Sequence, residues 1–402
     1  MLHTLALTLV LSAAPDADKS ATAVEALTQA LAAKPADLAA LAEKDFAAVP
    51  LTKADAAKAR AAIWDAHVAH FKTDRAGELK AKKLTLDKLE MPYDYTVYGK
   101  APAGGHSLWL SLHGGGGAPK AVNDGQWNNQ KKLYKLTEGI YLAPRAPTNT
   151  WNLWHEAHID RLFDRLIADF VAVEGVNPDK VYVLGYSAGG DGVYQLAPRL
   201  ADRWAAAAMM AGHPNDASPL NLRNMPFALQ VGGKDAAYNR NKIAAEWGTK
   251  LDVLQKADPK GYEHFFKIHA DKGHWMNLED KAALPWMAKF TRNPIPETVV
   301  WRKTGAHDRS YWLAGKLPEK AVVIATRAGN AVDVTTADDV AKLVVRFDDR
   351  MQDLNKPVAV KFKGKEVFNG TVSRTAGTLL RTLADRGDPK LMFDAEATVE
   401  LK

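Results

Sequence analysis

The chain has 402 residues, 47% hydrophobic and 25% charged, a mixture that suits a folded protein of two or three domains. Its net charge of +6 is scattered with no block of Lys or Arg, which argues against a nucleic-acid partner. It contains no cysteine, so thiol nucleophiles, disulfides and thiolate metal sites are excluded.

The first stretch, MLHTLALTLVLSAAPDADKS, has an apolar run from Leu5 to Leu11 followed by Ser12-Ala13-Ala14. That run is too short to span a bilayer, and small residues after it suit a signal-peptidase site, so residues 1–16 are expected to be a signal peptide. The expectation is a secreted or periplasmic protein with no stable membrane insertion. Residues 17–90 are rich in Ala, Leu, Lys, Asp and Glu, with Pro35 and Pro50 as breaks. They predict two or three short helices leading into the main domain.

From Met91 to about residue 293 the pattern becomes short apolar runs alternating with amphipathic stretches. SLWLSLHGGGG, GIYLAPRAP, NPDKVYVLG, RWAAAAMMAG, MPFALQVGG and EHFFKIHA read as strands. HIDRLFDRLIADFVAVEG places Ile159, Leu162, Phe163, Leu166, Ile167 and Phe170 on one helical face. Uniformly apolar strands alternating with helices predict an α/β fold whose mainly parallel sheet is covered on both faces. Residues 294–402 change to short alternating segments broken by turns, with Gly364-Lys365 as a hairpin tip, and predict a small C-terminal β-sandwich domain.

The chemistry is concentrated in VYVLGYSAGGDG, where Gly185-Tyr186-Ser187-Ala188-Gly189 matches G-x-S-x-G between a strand and a helix. Such a turn forces Ser187 into a strained conformation with its hydroxyl exposed. A serine needs a base, and the base needs an orienting acid; the strand–turn–helix setting resembles that of α/β-hydrolases, which implies an acid and then a histidine downstream, each past a later strand. MPFALQVGGKDAAYN offers Asp235 and EHFFKIHADKGHWMN offers His274. Asp191, Asp216 and Asp271 are rivals for the acid, and His269, at a strand end, reads as a packed or loop histidine. The LHGGGG loop upstream offers the N–H groups of Gly115 and Gly116, with that of Ala188, as an oxyanion hole. Tyr186, Trp151, Trp154 and Trp275 lie near these motifs as pocket walls or as core. His155, His158 and Asp160 lack metal-ligand spacing, so neither a metal nor a cofactor is expected.

The region from Met91 to Arg292 resembles the α/β-hydrolase superfamily. It is most similar to the secreted esterase branch that includes polyhydroxyalkanoate depolymerases and feruloyl esterases. GVNPDKVYVLGYSAGGDGVYQLA, LHGGGG and DKGHW carry the likeness. The resemblance implies Ser187 as nucleophile, His274 as base and Asp235 as its partner, acting on a small-molecule or polymer ester. The G-x-S-x-G-G form also resembles prolyl-oligopeptidase-type peptidases, which leaves amide cleavage open. A third reading, a non-catalytic glycan-binding protein, rests on the C-terminal domain and the aromatic residues.

Overall fold

The structure is a computed structural model that describes residues 15–33 and 37–401. The expected signal peptide, apart from its last two residues, lies outside the described residues. Among the described residues no helix is long and apolar enough to cross a membrane. The chain forms two units. A terminal unit takes the described residues up to His70, Ile295–Lys303 and Asp308 onward; a sheet unit takes Phe71–Pro294 and Thr304–His307.

The N-terminal helices are α1 (Ala17–Ala33), α2 (Leu38–Ala42), α3 (Lys53–Asp74) and α4 (Ala76–Ala81). Residues 17–90 are therefore not helical throughout, because strand pairing begins at Lys83. Leu27, Leu31, Leu41 and Ile63 form one core with Leu379, Leu380 and Leu383, so the helical segment up to His70 shares its unit with C-terminal residues. Apolar periodicity marks a helix face for burial but does not say which partner covers it.

The sheet unit holds strands β1 (Lys83–Leu86), β2 (Leu89–Tyr98), β3 (Leu108–Leu112), β4 (Gly139–Pro144), β5 (Val181–Tyr186), β6 (Ala206–Met210), β7 (Phe227–Gly232) and β8 (His264–His269). Their order is β1-β2-β4-β3-β5-β6-β7-β8. β1 pairs with β2 and β2 with β4 antiparallel; the rest are parallel. Strands β3 to β7 are buried at every position, as strands covered on both faces must be. The crossover helices are α5 (Lys120–Gln130), α6 (Ala157–Val173), α7 (Ala188–Arg199) and α8 (Arg240–Ala257), and the short α9 (Ala283–Met287) follows β8. All six residues of the expected α6 face are buried. This is the α/β-hydrolase architecture.

Strand order reverses beside β3. The chain leaves β3 for β4 on one side, then crosses back to β5 on the other. Loops leaving the carboxyl ends of β3 and β5 therefore diverge, and the crevice between them is where open α/β sheets place ligands.

The remaining strands are β9 (Thr298–Arg302), β10 (Arg309–Ser310), β11 (Leu313–Ala314), β12 (Val322–Ala328), β13 (Ala331–Ala337), β14 (Lys342–Phe347), β15 (Val358–Phe362), β16 (Lys365–Gly370) and β17 (Ala395–Glu400). They form two sheets, β10-β11-β14-β17 and β16-β15-β13-β12-β9, antiparallel except for the parallel pair β13 and β15. The β15–β16 hairpin turns at Lys363-Gly364, one residue before the expected tip, and both turn residues have positive φ. This region also contains a helix, α10 (Ala376–Arg386), that the strand-like reading of the sequence missed. Its signals were present: Thr375 caps the Thr378 N–H, Leu379, Leu380 and Leu383 face inward, and Gly387 ends it in the left-handed region. Arg60 on α3 reaches into this unit, donating to Asp348 at 2.8 Å, Asp394 at 2.7 Å and the Met392 carbonyl at 2.7 Å.

Candidate active site

At the end of β5 the chain turns directly into α7. Ser187 occupies the turn at φ 57 and ψ −122, a conformation that a non-glycine residue holds only at a cost of about 1–3 kcal/mol. Its N–H donates to the Met210 carbonyl at 2.9 Å, and its carbonyl accepts from Asp191 N–H at 3.0 Å. The flanking glycines are sterically required. A Cβ on Gly185 would lie 2.2 Å from the Gly189 carbonyl oxygen, and one on Gly189 would lie 2.1 Å from that of Leu112. The pattern G-x-S-x-G is thus the composition that lets α7 start this close to β3 and β5.

His274 lies in the loop after β8 and Asp235 in the turn after β7. His274 Nδ1 is 2.8 Å from Asp235 Oδ2, and Nε2 is 2.9 Å from Ser187 Oγ. The carboxylate accepts the Nδ1 proton, which leaves Nε2 unprotonated to accept the serine hydroxyl. Asp235 is 2% exposed, while the imidazole side chain is 43% exposed, so the hydrogen-bonded chain runs from the interior to solvent. Arg240 Nη1 lies 3.8 Å from Asp235 Oδ1. Tyr186 secures the histidine loop: its hydroxyl donates to the His274 carbonyl at 2.6 Å and accepts the Met276 N–H at 2.9 Å.

The rival groups are engaged elsewhere. Asp191 accepts from His213 N–H at 2.6 Å, Asp216 accepts from Gln195 at 3.0 Å, and Asp271 is exposed. Burial pushes the Asp191 carboxyl up to about 6. His269 is buried between Gln230 at 2.6 Å and Glu279 at 3.1 Å. Asp160 is bound by Arg199, and His158 lies 3.2 Å from Glu156. Among the described residues no group of three or more His, Asp or Glu is placed to hold a metal ion.

The loop after β3 is held by two fully buried polar side chains. His113 donates from Nδ1 to the Gly114 carbonyl at 2.6 Å and accepts the Ala146 N–H at Nε2, 3.2 Å away. Burial pushes its imidazole down to about 4, so it is neutral, as an acceptor at Nε2 must be. Asn123 on α5 accepts the Gly116 N–H at 2.8 Å and donates to the Ala118 carbonyl at 2.9 Å. This corrects the expectation for Gly116, whose N–H is already used and is not free for a ligand. No hydrogen bond occupies the N–H of Gly115 or of Ala188 among the described residues. Nothing in the sequence marks Asn123, because a stapling amide has no motif and its partners are seven residues away or fewer.

The aromatic residues separate by burial. Trp154 is fully buried and donates from its indole N–H to the His113 carbonyl at 3.0 Å, so it supports the glycine loop and cannot wall a pocket. Trp151 is 64% exposed, lies beside Gly116 and Gly117, and does not line the hollow at Ser187. Tyr186 and Trp275 do line it, with rings 5.5 Å apart, and Trp275 is 49% exposed. The hollow measures about 730 Å³, and Gly115, Gln126 and Leu133 also form its walls.

No protein-family model and no curated protein matches the chain. Among solved structures it is similar to a thermostable esterase, with 17% identity and a TM-score of 0.41, over 52% of this chain and 62% of that one. It is similar also to a feruloyl esterase module from Clostridium thermocellum, with 14% identity and a TM-score of 0.37, over 52% and 86%. A Bacillus cereus carboxylesterase gives 15% identity and a TM-score of 0.34, over 50% and 94%.

Proposed function

We propose that the protein is a serine hydrolase that cleaves carboxylic esters through an acyl-enzyme. In this reading Ser187 Oγ bonds to the carbonyl carbon while its proton passes to His274 Nε2 and the C=O electron pair moves onto oxygen. The N–H groups of Gly115 and Ala188, the latter at the positive end of α7, hold that oxyanion. Collapse breaks the bond to the alcohol oxygen, which takes the proton from Nε2 and departs as the neutral alcohol. Water then bonds to the acyl carbon and gives a proton to Nε2, which returns it to Ser187 Oγ as the acid is released. Asp235 accepts the hydrogen bond from His274 Nδ1 and keeps the imidazole in its working tautomer.

The observation that carries the reading is the chain Ser187–His274–Asp235, at 2.9 and 2.8 Å, with its hydroxyl end in an open hollow. Ester rather than peptide cleavage is favoured by the walls. None of them is a free strand edge along which an extended peptide could pair, since β5 is flanked by β3 and β6. The test is hydrolysis of p-nitrophenyl butyrate together with labelling by a fluorophosphonate. Ser187→Ala is expected to abolish labelling and lower kcat by about 10⁴-fold or more. Substantial activity in that variant would overturn the assignment.

A further inference from the structure

The hollow at Ser187 continues past Leu133 and Leu278. At these two side chains and Lys132 it meets a second hollow of about 830 Å³, lined by the segment after α5 and the segment around α9. Its floor is one face of the sheet. Trp109 stacks on Tyr182 there with ring centroids 4.2 Å apart; both rings are nearly fully buried, and the partly exposed Leu133, Leu136 and Leu278 pack over them as the accessible apolar walls. Tyr182 precedes Tyr186 by four residues on β5, so the apolar floor extends about 13 Å from the reacting hydroxyl's level.

The rim carries Lys132, Lys135, Lys180 and Lys281, none with an ion-pair partner among the described residues. The two carboxylates on the same rim are already committed. Glu138 accepts from the Ser107 N–H at 3.0 Å and lies 2.9 Å from His106. Glu279 pairs with Lys272 at 2.9 Å and with His269 at 3.1 Å. A long apolar trough that opens onto a nucleophile and ends among unneutralised ammonium groups matches a chain with an anion at its far end.

We infer that the second hollow is a substrate subsite for a long apolar arm of the ester that terminates in a carboxylate. The inference rests on the ester reading above and names its substrate class. The arm lies along the partly exposed Leu133, Leu136 and Leu278, above the buried Tyr182 and Trp109, and its carboxylate meets Lys180 and Lys281.

Two ester series test it. One compares p-nitrophenyl butyrate, p-nitrophenyl decanoate and the p-nitrophenyl monoester of decanedioic acid. The other compares the acetate esters of butanol, decanol and 10-hydroxydecanoic acid, and so distinguishes an acyl arm from an alcohol arm. In one series kcat/KM is expected to rise roughly 10²-fold from the short to the long chain. It should rise roughly tenfold again when the chain carries the carboxylate. Lys180→Glu with Lys281→Glu should erase the second increment, and Ala282→Trp, which fills the trough, should erase most of the first. Calorimetry of decanedioate on the Ser187→Ala protein reads binding without turnover and should show it weakened by the double lysine exchange. Turnover of short esters with no preference in either series would overturn the subsite and leave the ester reading intact. If no ester is turned over and no label attaches, the ester reading falls. Calorimetry then decides alone: decanedioate binding that the lysine exchange weakens supports the subsite, and absence of binding overturns it.

Discussion

Asp235 in the sheet unit and Asp348 in the terminal unit are equally hidden from solvent, yet their partners differ in kind. Asp235 meets an imidazole that is itself 43% exposed and bonded onward to a hydroxyl. Asp348 meets Arg60 and Arg350 at 2.7 to 2.8 Å. Although burial pushes Asp348 up, the bonds from Arg350 and the charges of Arg350 and Arg60 hold it below the ordinary carboxylate value. Burial raises its neighbour Asp394, which Arg60 only partly offsets. One carboxylate therefore sits at the start of a path along which a proton can move. The other is closed within a fixed network whose guanidinium groups do not titrate. Burial alone does not separate the two carboxylates; the kind of partner and its route to solvent do.

Four changes would break or sharpen that contrast. Asp235→Asn keeps the shape and removes the charge, and is expected to lower kcat for a short ester by about 10⁴-fold with little change in unfolding midpoint. A small effect in steady-state kinetics would return Asp235 to the structural class. Arg60→Ala should do the reverse. Leaving Asp348 and Asp394 facing each other is expected to destabilise the protein by roughly 3 kcal/mol in urea titration, with kcat per folded molecule preserved. Next in size, Asn123→Ala unhooks the Gly116 N–H and is expected to cost about 10²-fold in kcat through the loosened loop. A change confined to KM would show that the loop binds substrate without shaping the transition state.

The smallest effect concerns Asp169, a buried carboxylate that resembles neither of the other two. Neither oxygen has a hydrogen bond, and Arg75 Nε stands 3.8 Å away. Burial pushes its carboxyl up to about 7. Because the folded value lies above the ordinary 3.8, its contribution to stability falls as pH rises from about 4 to 7. Asp169→Asn should flatten that slope and raise the melting temperature at pH 8 while leaving it nearly unchanged at pH 4.

Much of the sheet unit was legible from sequence because its central strands, β3 to β7, are short, mostly apolar runs buried at every position, separated by polar or glycine-rich loops. Ser187 stood out because the elbow needs glycine on both sides. Asp235 and His274 stood out because they follow β7 and β8 in the order that brings loops to one edge. What was not legible is everything that depends on a partner distant in sequence. Nothing in LHGGGG tells that Trp154, 41 residues on, supports the loop from beneath; the bond from Gly116 to Asn123 is local but has no motif to mark it. Nothing in the Ala-rich N-terminal segment says that its core partners lie beyond residue 370. Helix α10 is a different failure, since its cap and Leu spacing were visible but stood among strand-like segments.

The neutral His113 has one more effect. It can receive the Ala146 amide only while unprotonated, and its folded value of about 4 lies below the ordinary 6.5, so the stability that its neutral form contributes falls as pH drops from about 6.5 towards 4, where the bond itself is lost. An imidazole buried beneath the loop thus makes the glycine segment after β3 a place where acid acts on the fold.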